Sequence, residues 1–248
     1  MPDGLNRAFS MLRTFCLLLI LVSAITCSAQ EPQADPKARA LLREAYERRY
    51  RWDAAFPGFA GKISVAYQGM ERAGTARVTA ASAPEVTLPD TRAATWARDA
   101  LRALALPLRH APFEEGDGKY PVTFGPADTH PSGRALRLHD ENNTLYRIRD
   151  GQVWRIEREE GPAGDARDRV TLDFLDFART EEGLLLPRSF TIAHREAGTS
   201  RLQRTETISD TYQRVGDYYL PYTRREVVAE DGGAEVRWLR LTELKLSP

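Results

Sequence analysis

The sequence predicts an α+β fold: a strongly curved antiparallel β-sheet or open barrel, laid out as a meander, with two helices packed on it. Three observations carry that reading. Two segments, residues 36–52 and 91–105, repeat apolar residues at helical spacing. From Arg134 onward, runs of alternating polarity follow one another with turn signals between them, the pattern of antiparallel hairpins. No linker and no repeat of fixed period divides the chain after its leader.

Residues 1–29 read as a cleaved secretory signal peptide. Arg7 and Arg13 precede the apolar run from Phe15 to Val22, and small residues follow from Ser23 to Ala29, which is the n-region, h-region and cleavage-region order. The run is too short for a comfortable membrane span, and cleavage is expected after Ala29. Two alternatives stand beside it: retention as an anchor, and lipidation at Cys27, for which the preceding Ile25 and Thr26 are a poor match. Cys16 and Cys27 are the only cysteines. Cleavage therefore leaves a mature chain without disulfides, held by its core alone. The expectation is an exported protein, periplasmic or extracellular, that meets the membrane only through this segment or a lipidated Cys27.

Residues 30–35 form a polar leader, and the domain is expected over 36–248. Asp35-Pro36 reads as an N-cap with proline at the first helical position. Ala38, Leu41, Leu42, Ala45 and Tyr46 make the apolar stripe of a helix that should stop near Trp52, because Pro57-Gly58 blocks continuation. Lys62–Gln68 alternates as a half-buried strand, Gly69-Met70-Glu71 turns the chain, and Thr75–Ala81 returns. A third strand is expected near residues 84–88. Pro89-Asp90 caps a second helix over Thr91–Ala105, with Pro107 ending it. Residues 109–131 are irregular, rich in Pro and Gly, with one short strand at Tyr120–Phe124. The later strands fall at 135–139, 144–149, 152–158, 169–179, 184–194, 201–212, 218–230 and 234–246, and Asp150-Gly151 is a two-residue hairpin signal.

Charge and motifs exclude more than they identify. The 248 residues hold 35 basic and 35 acidic side chains, so the excess of cations that non-specific nucleic-acid binding needs is missing. There is no G-x-S-x-G elbow, no GxGxxG and no Walker loop. His110, His130, His139 and His194 are scattered, without metal-ligand spacing. No cofactor and no metal is expected. Glu114, Glu115 and Asp117 cluster in the irregular stretch and read as a solvated acidic turn. The large rings are more suggestive. Trp52, Trp96, Trp154 and Trp238 fall on both helical segments and on two separate strands, with Phe56 in the turn after the first helix. If the sheet curls, some of them would line an apolar pocket, although rings where helices meet a sheet are more often plain core.

Two stretches resemble a known family. Tyr46-x-x-Arg49-Tyr50-x-Trp52-x-x-x-Phe56-Pro57-Gly58-Phe59 resembles the opening motif of the bacterial domain of unknown function 3386. Tyr212-x-x-Val215-Gly216-x-Tyr218-Tyr219-Leu220-Pro221, followed by Arg224-Arg225, resembles a late strand pair of that family. The resemblance spans about Pro36 to Leu246 and implies no activity. A more distant architectural likeness is to periplasmic lipoprotein carriers and related open barrels. It rests on the element order and on the phrases Gly183-Leu184-Leu185-Leu186-Pro187 and Gly216-Asp217-Tyr218-Tyr219-Leu220-Pro221 at strand starts.

Three functional readings follow. The first is a non-enzymatic binding or carrier domain for an apolar ligand or lipid moiety, held between sheet and helices. The second is a periplasmic hydrolase in which His110 or His130 converges with Glu114 or Asp117. The third is a structural or interaction module that uses an exposed strand edge.

Overall fold

The computed structural model describes residues 33–79, 82–161 and 167–247. The signal-peptide reading of residues 1–29 lies outside them.

Helix α1 (Pro36–Glu47) starts where the sequence places it. The Asp35 carboxylate accepts from the backbone N–H of Lys37 at 2.8 Å and of Ala38 at 3.1 Å, and Pro36 fills the first helical position. The helix ends well before the expected Trp52, because a tertiary partner takes over its backbone. Leu185 N–H donates to the Arg48 carbonyl at 2.8 Å, Tyr50 N–H donates to the Leu185 carbonyl at 2.9 Å, and Arg49 forms an isolated bridge with Leu185.

Strands β1 (Phe59–Tyr67) and β2 (Met70–Val78) pair as a hairpin, joined through Gln68 and Gly69 at φ +50° and +72°. Two left-handed residues in sequence make a type I′ turn, whose twist matches the strands. The turn is therefore Gln68-Gly69 rather than Gly69-Met70-Glu71, and β2 begins earlier than expected. Strand β3 (Glu85–Thr87) follows, then α2 (Thr91–Ala105), capped by Asp90 through the N–H groups of Arg92 and Ala93 at 2.9 and 3.0 Å. Three short 3₁₀ turns lead to β4 (Val122–Phe124). The remaining strands are β5 (Arg134–Leu138), β6 (Leu145–Arg149), β7 (Gln152–Glu160), β8 (Asp168–Arg179), β9 (Leu185–Arg195), β10 (Leu202–Val215), β11 (Tyr218–Glu230) and β12 (Gly233–Leu246).

Among the described residues these form one twelve-stranded sheet in the order β3-β2-β1-β12-β11-β10-β9-β8-β7-β6-β5-β4. Every neighbouring pair is antiparallel. The sheet is curved and unclosed, an α+β meander as the sequence predicts. Register shifts in β8 near Phe174–Phe177 and in β10 at Thr211/Tyr212 bend it, as bulges do.

Two apolar cores sit on this sheet. One gathers Trp52, Phe59, Ile63, Leu101, Leu220 and Leu239, and α2 packs into it. The other gathers Leu42, Tyr46, Phe113, Val122, Leu136 and Leu138 under α1. Ala45 of α1 and Ala100 of α2 border a single cavity, so both helices lie over the same face of the sheet, one at each side.

Candidate functional site: a cavity between the helices and the sheet

The two cores leave the middle of the covered face unfilled. A cavity of about 590 Å³ remains there, within the range of about 300–1,000 Å³ usual for small-molecule sites. Its wall has two chemistries. Strands β7 to β9 supply Val153, Ile156, Leu172, Phe174, Phe190 and Ile192. Strands β10 to β12 supply Arg204, Glu206, Asp210, Arg224, Glu226 and Arg237. The alternation of strand residues explains the second set. Glu206, Ile208, Asp210 and Tyr212 are two apart on β10 and share one face. Helix α2 roofs the cavity with Trp96, Ala100, Ala103 and Leu104.

The charged side of the wall is internally paired. Arg224 holds Asp210 bidentately at 2.8 and 2.7 Å, and its Nη1 donates to the Ala100 carbonyl at 3.3 Å, tying α2 to the sheet. Burial alone would lower the Arg224 pKa, but attraction to Asp210 and its two hydrogen bonds outweigh that and raise it, so the guanidinium stays charged. Beside it, the Tyr212 hydroxyl donates to the Pro187 carbonyl at 2.8 Å. Burial, then the nearby Asp210 charge, pushes that phenol's pKa up. Trp96 Nε1 donates to Glu226 at 3.0 Å. Arg204 lies 2.8 Å from Glu206, which also meets His194 Nε2 at 3.1 Å.

The rings singled out in the sequence are distributed differently from a common lining. Trp96 is on the cavity wall. Trp52 and Phe56 stack on each other at 3.9 Å inside the α2 core, 1% and 4% exposed, and Trp52 Nε1 donates to the Tyr219 carbonyl at 3.0 Å. Trp154 stands edge-on to Phe177, with the Arg149 guanidinium over its face. Trp238 alternates with Arg237 and Leu239, so the pleat turns it to the sheet's opposite face, near Arg240. The wall is built instead from strand aliphatics and phenylalanines that ordinary alternation marks only as half-buried.

The residues of the hydrolase reading belong to separate hydrogen-bond networks. Glu114 is held by Arg39 and Arg43, and Asp117 accepts from the Tyr146 hydroxyl at 3.1 Å. His130 Nδ1 accepts from the Ser132 N–H at 3.1 Å, and His110 is exposed. Among the described residues no group of three or more His, Cys, Asp or Glu could hold a metal ion. The edge reading meets strands of only three residues at both margins, β3 and β4, the short edges by which sheets avoid pairing with another chain.

No curated protein matches the chain. The chain has a distant likeness to two solved structures: a DUF1329 family protein from Desulfovibrio piger, at 9% identity over 87% of this chain and 94% of that one, TM-score 0.26; and the Pseudomonas aeruginosa MucA/MucB complex, at 12% identity over 85% of this chain and 94% of that one, TM-score 0.18. Likeness at these scores carries no weight for fold or function. The family described as protein of unknown function (DUF3386) matches residues 33–246. That span includes the Tyr46–Phe59 motif, both helices and all twelve described strands, and the chain belongs to this family.

Proposed function

We propose that the protein is an exported, non-enzymatic binding or carrier domain that holds an apolar ligand or lipid moiety between its sheet and its two helices. The single observation behind this reading is the cavity of about 590 Å³ whose β7–β9 wall is mostly apolar, with Gln152 and Arg158 as its polar members. A site of that volume with a few convergent polar groups is what a small-molecule pocket requires. The paired charges of β10–β12 would orient a ligand rather than drive it in, since each is already neutralised by a neighbour.

Native mass spectrometry of the purified protein, with fluorescence titration of the neutral probe N-phenyl-1-naphthylamine, tests the reading. A co-purifying apolar molecule, or a saturable rise in probe fluorescence, is expected. A protein that carries nothing and leaves the probe dark overturns it. Export is tested separately. N-terminal sequencing of the protein from a periplasmic fraction should begin at Gln30, after cleavage at Ala29.

A further inference from the structure

Five arginines border the cavity: Arg49, Arg158, Arg204, Arg224 and Arg237. Four of them face a carboxylate: Arg158 meets Glu160 at 2.6 Å, Arg204 meets Glu206 at 2.8 Å, Arg224 meets Asp210 at 2.7 Å and Arg237 meets Glu235 at 2.6 Å. Arg49 forms no such pair among the described residues. Its guanidinium lies 5.0 Å from the centre of the Tyr46 ring, and a second cation, Arg51, sits on the same ring at 3.5 Å. Arg51 spends one donor on the Tyr46 carbonyl at 2.8 Å. Arg49 Nε and Arg51 Nη2 are buried and have no hydrogen-bond partner. The carboxylate that acts on Arg51, Asp117, already accepts from Tyr146. Burial, and after it the neighbouring Arg49 charge, lowers the Arg51 pKa to about 10, which fits two cations short of an anion.

The position of Arg49 is fixed. Leu185 pairs with the backbone on either side of it, at the start of β9. Glu206 lies opposite Ile192, near the other end of that strand, and is occupied by Arg204 and His194. Arg49 and Arg51 are half-buried; withdrawing a guanidinium from water without a counter-ion carries a cost, and an anion delivered by a ligand relieves it through charge-assisted hydrogen bonds.

We propose that Arg49, backed by Arg51, binds the anionic head of an amphiphile whose apolar chain lies along Phe174, Phe190 and Ile192. This rests on the carrier reading and names its ligand class: one alkyl chain ending in a carboxylate or a phosphate monoester.

Three probes of equal chain length separate the possibilities: tetradecanoate, tetradecyl phosphate and tetradecan-1-ol, each titrated as a displacer of N-phenyl-1-naphthylamine. The wild-type protein should bind at least one anion about tenfold more tightly than the alcohol, the ratio that roughly one charge-assisted hydrogen bond supplies. The better anion identifies the head. In Arg49→Gln the anion-to-alcohol ratio should fall toward one, and Arg49→Lys should recover part of it. Thermal unfolding checks that each variant folds. If Arg49→Gln does not fold, Arg51→Gln must lower the same ratio. Equal wild-type affinity for all three probes, or a ratio that survives Arg49→Gln, overturns the head-group assignment while leaving the carrier reading intact. If neither the three probes nor the naphthylamine binds, both fail.

Discussion

Asp210 and Arg224, at 2% and 5% exposure, form the buried ion pair beneath the cavity. Asp210→Ala would leave a buried guanidinium with only the Ala100 carbonyl and should cost about 3–5 kcal/mol in urea unfolding, whereas replacing both partners, as Asp210→Leu with Arg224→Met, should cost much less than the single change. A second pair reads out acid sensitivity. The Arg147 hydrogen bonds, then the backbone N–H of His130, depress the Asp128 pKa to about 2. A depressed carboxylate stabilises the fold fully above its unfolded pKa and loses that contribution as pH falls through the folded one. The window therefore runs from about pH 4, where a free Asp titrates, down to about 2. In Asp128→Asn the urea midpoint should change less steeply across that window than in the wild type. Neither pair was legible in the sequence: Asp210, Arg224 and Arg147 sit on alternating strands, where a charge defaults to the solvent side, and Asp128 sits in the loop between β4 and β5. Arg49 was legible only as a letter of a motif, since nothing in YERRYRW tells which arginine lacks a counter-ion.

Helix starts were the best-read elements. Asp35 and Asp90 cap α1 and α2 as their spacing predicts, and Asp35→Ala should cost about 1 kcal/mol in chemical unfolding. The Asp150-Gly151 hairpin was equally plain: both residues take the positive φ that a type I′ turn needs. Pro57-Gly58 was read as the block to helix continuation, and the structure adds what Gly58 does at the entry to β1. Gly58 has φ +90°, and a Cβ there would lie 2.5 Å from the Val78 carbonyl oxygen. Gly58→Ala should therefore destabilise the protein, seen as a lower melting temperature, although the change favours most exposed loops through the unfolded chain. Element ends were read less well. The end of α1 depends on Leu185, which lies far along the chain, and the β1–β2 turn depends on Gln68 accepting a left-handed conformation that only glycine or asparagine usually signals.

At the scale of the molecule, the sequence conveyed a meander and two helices but not where the two cores leave space. That depends on which side of α2 faces the sheet and on bulges in β8 and β10, neither of which alternation records. Ala103 on α2 offers a direct check, because it borders the cavity and is itself exposed. Ala103→Trp should occupy part of the space and weaken N-phenyl-1-naphthylamine binding several-fold, measured by the same titration. The strand order was also hidden, because β1 does not end its sheet at β3 but continues through β12. Phe59 lies opposite Leu246, and the Ser247 N–H donates to the Gly58 carbonyl at 2.9 Å. The first strand of the domain thus waits for the last. A chain delivered N-terminus first exposes the free edge of β1 until its final residues arrive, so its folding is late and its most vulnerable interval falls during synthesis.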